Sequence, residues 1–166
     1  EDSMKYSKII HLFAWKFKKN DVAHLKISRH DETKYPSLIG DFRSLSRFVE
    51  NYKVLKRSSK ITINFFRPPD CASISVDSEL YVPYDSIDQA TSFANSINID
   101  LMVGKLLVKK SGHIIYRCFL PLSKRRQNEI LLEYVIRDIK HCFDPKMLIN
   151  FARLIDRTTE QGGSVY

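Results

Sequence analysis

The sequence predicts an α+β domain, an antiparallel β-sheet of about five strands with helices packed on one face. Three observations predict it. Between residues 60 and 83 lie three short runs rich in β-branched and aromatic residues, "KITINFF", "ASISVD" and "ELYVP", separated by the turn-forming groups Arg67-Pro68-Pro69-Asp70 and Asp77-Ser78-Glu79. Further on, "LMVGKLLVKK" and "HIIYRCFLPL" flank Ser111-Gly112, the pattern of a β-hairpin. Around and between these runs, apolar residues recur every three or four positions, the period of a helix. Strands joined by short turns pair antiparallel, and the helical segments are left to cover the sheet. We read one domain over residues 1–166, with residues 1–36 as an N-terminal extension.

In that extension, Tyr6, Ile9, Ile10, Phe13, Ala14 and Phe17 keep helical spacing while Lys5, Lys8, Lys18 and Lys19 fall largely outside the stripe. Leu12 and Trp15 break it, which leaves a strand as the alternative. Glu1, Asp2 and Ser3 ahead of Met4 read as an added start and are set aside. Val22 to Pro36 is polar and reads as a connector with room for a short strand through "HLKIS". In "SLIGDFRSLSRFVENY" the spacing of Leu38, Phe42, Leu45, Val49 and Tyr52, with Ser37 as a start after Pro36, predicts a helix over 37–52.

After the three short strands, Asp85 is placed to cap a helix "DSIDQATSFANSIN", with Asp88 in its first turn and Ile87, Ala90, Ala94 and Ile97 as its buried stripe. That helix ends at an Asn-rich joint, Asn95 and Asn98. Beyond the hairpin, "SKRRQNEILLEYVIRDIKHCF" has Ile130, Leu131, Val135, Ile139 and Cys142 along one face. "DPKMLINFARLIDRT" adds a last helix with Asp144 as cap and Pro145 at its first position, and the tail "EQGGSVY" reads as frayed.

Hydrophobic residues make up 43% of the chain and charged residues 28%, the balance of a folded, soluble domain. No run approaches the ~20 apolar residues that span a bilayer, and no secretory leader is visible, so a cytoplasmic location is expected. Cys71, Cys118 and Cys142 have no paired spacing and read as reduced core residues. The net charge of +8 is unevenly spread. Residues 1–60 carry 14 Lys+Arg against 7 Asp+Glu, residues 61–100 carry 1 against 6, and residues 101–166 carry 12 against 6. An acidic middle between basic ends suits an acidic partner or nucleic acid.

Residues that could carry chemistry are sparse. His11, His24, His30, His113 and His141 are scattered without ligand spacing, and His141-Cys142 would point about 100° apart on a helix, so no metal or other cofactor is expected. His30-Asp31 imitates a catalytic pair but lies in a charged loop with no phosphate cradle or nucleophile turn, and reads as solvated surface. Gly104 marks either a bulge or a close backbone approach. Cys118 follows Arg117, but neighbouring strand residues face opposite ways, so the thiol reads as buried and inert. No catalytic residue is therefore assigned.

Ser123, Lys124, Arg125 and Arg126 break a local rule, because cations in the first turn of a helix oppose its macrodipole. Either solvent screens the cost, or the free amides and cations together form a docking point for a carboxylate or phosphate. Lys53, Lys56, Arg57 and Lys60 make a second basic cluster. Nucleic acid is a possible partner of both clusters, although no RNA-recognition strand motif, GxxG clamp or zinc knuckle is present.

From Ile61 to about Ala152 the order of elements resembles the bacterial YbjN family and the type III secretion chaperone-like fold. The residues that carry this are "ELYVPYDSIDQATSFANSINIDLMVGKLLVKKSGHIIYRCFLPL" and the long helix "NEILLEYVIRDIKHCF", with Asn95 and Asn98 at the joint, Gly104 in the first hairpin strand and Tyr116-Arg117 in the second. The resemblance implies a non-enzymatic module, adaptor, chaperone-like or regulatory, that binds a protein partner and works as a homodimer. The runner-up expectation is a nucleic-acid-associated protein using the clusters at 53–60 and 124–126.

Overall fold

A computed structural model describes residues 2–29, 36–42, 59–66 and 70–162, with side chains for 7–28, 36–42, 59–66 and 70–155. In chain order the elements are α1 (Asp2–Lys19), β1 (Val22–Arg29), β2 (Pro36–Phe42), β3 (Ser59–Phe66), β4 (Cys71–Tyr81), a 3₁₀ turn (Tyr84–Ser86), α2 (Ile87–Asn98), β5 (Lys105–Val108), β6 (His113–Pro121), α3 (Arg125–Cys142) and α4 (Pro145–Gly162). The strands form one six-stranded sheet in the order β1-β2-β3-β4-β6-β5, every neighbouring pair antiparallel. The α+β class with an antiparallel sheet is as predicted, with six strands rather than about five.

Alternation along the strands decides where the helices go. In β3, Ile61, Ile63 and Phe65 are buried while Lys60 and Phe66 are exposed, and in β4 Ala72, Ile74, Val76 and Leu80 are buried. These apolar sets share one core with the stripes of the helices. Phe13 of α1 packs edge-on against Phe65 at 5.1 Å, Phe17 against Phe42 at 6.3 Å, and Phe93 of α2 against Phe151 of α4 at 6.1 Å. The helices thus cover one face, and the other carries the polar alternates of β3 and β4, with Ile39, Phe66, Leu107 and Phe119 exposed among them.

Several expectations are corrected. Residues 37–42 form β2 instead of opening a helix, and the rest of the predicted helix, 43–52, lies outside the described residues. Leu38 and Phe42, four apart, satisfy a strand period as well as a helical one, and Gly40 between them is a poor helix former. In the segment read as a connector, the strand allowed for through "HLKIS" is present and longer, the eight-residue β1, whose pairing with β2 shifts between Ala23 and Lys26, where His24 adopts φ 53°; residues 30–35 lie outside the described residues. α1 is a helix, and Leu12, which broke its stripe, is buried while Trp15 stays 48% exposed.

Asp77-Ser78-Glu79 does not separate two strands; it is a bulge within β4. The register against β6 shifts between Asp77 and Tyr81, and Glu79 sits at φ 57°. Ser78 Oγ donates to the Ile114 carbonyl at 2.6 Å and accepts from the Leu80 amide at 3.1 Å, while Asp77 Oδ1 accepts from the Glu79 amide at 2.7 Å. Short polar side chains satisfy the backbone equally in a turn and in a bulge, so their presence alone does not choose between them. Asp85 lies in the 3₁₀ turn, and the position before α2 is Ser86, which makes no side-chain cap bond.

The hairpin forms around Gly112 at φ 83°, where a Cβ would also run into the Val82 carbonyl. Its first strand begins only at Lys105, because 101–104 is drawn aside toward α3. The buried side of α3 is Asn128, Leu132, Val135, Ile136, Asp138, Ile139 and Cys142, about one position round from the predicted stripe, leaving Ile130 41% exposed. In α4, Asp144 Oδ1 accepts from the Lys146 amide at 2.9 Å, as expected of a cap, and the helix runs on through Gly162.

Candidate anion-binding groove

α1 and α3 lie side by side, joined by Lys16 Nζ to Glu133 Oε1 at 2.9 Å and by Lys140 Nζ to Asn20 Oδ1 at 3.0 Å. Where α3 begins, the two helices leave a half-open groove of about 520 Å³. Lys8 and His11 on α1 and Arg125 on α3 bring basic groups to it, Ile9, Leu12 and Trp15 give it an apolar wall, and Ser123 and Asn128 close its end. No carboxylate is among the described lining residues. Trp15 carries cations of its own, with Lys19 Nζ 4.3 Å and Lys16 Nζ 5.7 Å from its ring centroid.

The start of α3 is built around Asn128, a buried polar side chain. Its Oδ1 accepts from the Ser123 amide at 3.0 Å and its Nδ2 donates to the Ser123 carbonyl at 3.2 Å, so one carboxamide clasps the residue that enters the helix. Ser123 Oγ donates to Gln127 Oε1 at 2.6 Å. Lys124 occupies the cap position in an extended conformation and makes no side-chain cap bond. Arg125 Nε donates to Glu129 Oε1 at 3.1 Å, yet 82% of its side chain is exposed. The cation-rich first turn therefore has its backbone organised from inside by Asn128, and its charges point outward.

The structure thus joins Ser123 and Arg125 to Lys8, His11 and Trp15, with Lys124 and Arg126 exposed alongside on the same turn. It does not join them to Lys60, which is exposed on β3 at the far end of the sheet. Lys60 pairs with Asp77, whereas Pro121, just before Ser123, pairs with Cys71, six residues further along β4, or about 20 Å. Lys53, Lys56 and Arg57 lie outside the described residues, as does His30-Asp31.

Sequence reasoning missed two constellations. Asp138, buried inside α3, accepts from the amides of Met102 at 2.7 Å, Val103 at 2.9 Å and Gly104 at 2.9 Å, and from the Tyr116 hydroxyl at 3.0 Å. Gly104 is a close approach rather than a bulge, because a Cβ there would overlap the Tyr116 ring and hydroxyl. Burial, with Cys118 and Asp138 beside it, holds the Tyr116 phenol well above its ordinary 10.0. Burial likewise pushes the thiols of Cys118 and Cys142 up to about 12. The second constellation is on the sheet, where His113 Nε2 meets Asp77 Oδ1 and the Tyr81 ring stacks on the imidazole at 4.4 Å. His113 is 36 residues from Asp77, and only the bulged register of β4 against β6 brings them together.

Among the described residues no group of three His, Cys, Asp or Glu side chains is placed to hold a metal ion, and no helix is long and apolar enough to cross a membrane. No protein-family model, curated protein or solved structure matches the chain.

Proposed function

We propose that this chain is a non-enzymatic protein-interaction module, an adaptor, that takes an acidic segment of a protein partner in the groove between α1 and the start of α3. The observation that carries the reading is the groove itself. Lys8 and Arg125 enter it from two different helices, an exposed Trp15 lines it, and no carboxylate is among its described lining residues, while Glu129 beside it takes only the Nε–H of an otherwise exposed Arg125. A carboxylate of the partner takes a charge-assisted bond from Arg125, and apolar side chains beside it pack on Trp15 and Leu12. The buried, weakly acidic thiols of Cys118 and Cys142 favour a structural role over nucleophilic chemistry. The resemblance of residues 61–152 to a fold that works in pairs supports a homodimer as the binding unit.

Trp15 is the sole tryptophan of the chain, so the groove carries its own fluorophore. Titration with a synthetic peptide rich in Glu and Asp shifts its emission, and raising salt from about 50 to about 300 mM weakens the effect. Arg125→Glu and Lys8→Glu each weaken it further. An emission spectrum indifferent to the peptide, or parental affinity retained in both charge-reversed variants, rules the reading out.

A further inference from the structure

Beyond the groove, the face of the sheet turned away from the helices has a composition of its own. Cross-strand register sets Asn64 beside Ser73 and Ser73 beside Phe119; one row along, Thr62 lies beside Ser75, Ser75 beside Arg117, and Arg117 beside Lys105. The centre of this face is uncharged and hydrogen-bonding. Its margin carries exposed aromatics and cations, with Phe119 64% exposed, Phe66 43% exposed, and Arg117, Lys105 and Lys60 all exposed, while Ile39 beside Thr62 and Leu107 beside Ile115 add exposed aliphatic side chains toward the outer strands. Asp41 and Asp77, the latter occupied by His113, flank Lys60 at the end remote from Phe119, which leaves Arg117 and Lys105 as the cations on the Phe119 side.

We infer that this face is a binding platform for single-stranded nucleic acid. A second copy of the chain packed sheet to sheet would need an apolar centre, since burying hydroxyls and amides without partners is costly, and here the centre is Thr62, Asn64, Ser73 and Ser75. An unpaired strand of nucleic acid fits the same surface on every count. Its bases stack on exposed aromatic rings, its phosphates pair with cations, and its base edges offer donors and acceptors to short polar side chains. Phe119 is the stacking residue, Arg117 and Lys105 the phosphate contacts, and Asn64 and Ser73 the groups that meet base edges. Ser37 Oγ donates to Asn64 Oδ1 at 2.7 Å, which holds that carboxamide in place on the platform. The platform is separate from the groove proposed for an acidic protein segment, so one partner need not displace the other.

The test uses the full chain and fluorescein-labelled oligouridine and oligodeoxythymidine of about 12 nucleotides, followed by anisotropy. Both the RNA and the DNA probe are tried, and binding of either supports the platform. Affinity is expected to fall steeply with salt, and Phe119→Ala and Arg117→Glu each to weaken it about tenfold. Both substitutions are at exposed positions, and an unchanged thermal melt shows that the fold persists. Arg125→Glu should leave oligonucleotide affinity as it was while weakening the acidic peptide, which separates this inference from the groove. Three results overturn it: neither probe binding at tens of micromolar, loss of binding in Arg125→Glu but not in Phe119→Ala, or a duplex of the same length binding as well as the single strand. A sedimentation shift toward monomer in Phe119→Ala, with oligonucleotide affinity untouched, would instead make the face a contact between copies.

Discussion

The Tyr116 hydroxyl on β6 donates to Asp138 Oδ2 on α3 at 3.0 Å, and the same carboxylate oxygen receives the amides of Val103 and Gly104. One buried acid thereby ties a strand, a helix and the loop entering β5 at a single point. Asp138→Asn keeps the shape but replaces one acceptor oxygen with an amide that faces N–H donors. The variant is expected to lose about 3 kcal/mol, the unpaired amides outweighing the benefit of removing a buried charge. Urea unfolding monitored by circular dichroism reads this as a lower midpoint at unchanged slope. A midpoint equal to that of the parent chain would mean that the carboxylate is not the anchor.

Gly104 has a Tyr116 ring where a side chain would go. Gly104→Ala is expected to cost about 2–3 kcal/mol, in the range of overpacked cores. Adding Tyr116→Phe recovers only part of that, because the ring carbon as well as the hydroxyl stands in the way. Full recovery in the double variant, measured in a thermodynamic cycle, would contradict this geometry.

Asn98 closes the other side of the same loop. Its Oδ1 accepts from the Leu106 amide at 2.7 Å and its Nδ2 donates to the Leu106 carbonyl at 3.0 Å, so the end of α2 takes the place of an outer strand beside β5. Asn98→Ala leaves both groups without a protein partner. A loss of about 1–2 kcal/mol is expected, together with faster hydrogen exchange at the Leu106 amide than at Tyr116. Unchanged protection at Leu106 would show that the side chain is dispensable.

Cys118, Cys142 and Tyr116 all have acidities weakened by burial, so the folded chain holds these protons more tightly than the unfolded one. Their contribution is fully present below the ordinary thiol value of 9.0 and is lost as pH rises toward about 12. Stability should therefore decline through the alkaline range. A thiol reagent near neutral pH should label the half-buried Cys71 first and reach Cys118 and Cys142 only on unfolding. Equal labelling rates for all three would place the two buried thiols elsewhere.

What could be read in the sequence follows from how far each decision reaches along the chain. The hairpin around Gly112, the helix from Pro145 and the alternation in "KITINFF" are set by neighbours within a few residues, and all were legible. Leu38 and Phe42 were not, because residues four apart fit two periods and the choice falls to pairing with β1 and β3. Asp138 sits between Arg137 and Ile139 like any surface acid, and only a loop 34 to 36 residues away makes it an interior one. For the groove, the cations before "NEILLEY" were visible as a conflict with the helix dipole. Their meeting with Lys8 and Trp15, more than a hundred residues earlier, depends on how α1 and α3 pack.

The outer strands of the sheet are β1, interrupted between Ala23 and Lys26, and β5, only four residues long. Neither presents a long straight row of unpaired amides and carbonyls on which an extended chain could template itself. The domain is thereby guarded against end-to-end polymerisation through its hydrogen-bonding edges. That guard leaves its broad surfaces free to carry exposed aromatic rings that an open-edged sheet could display only at the risk of fibre formation.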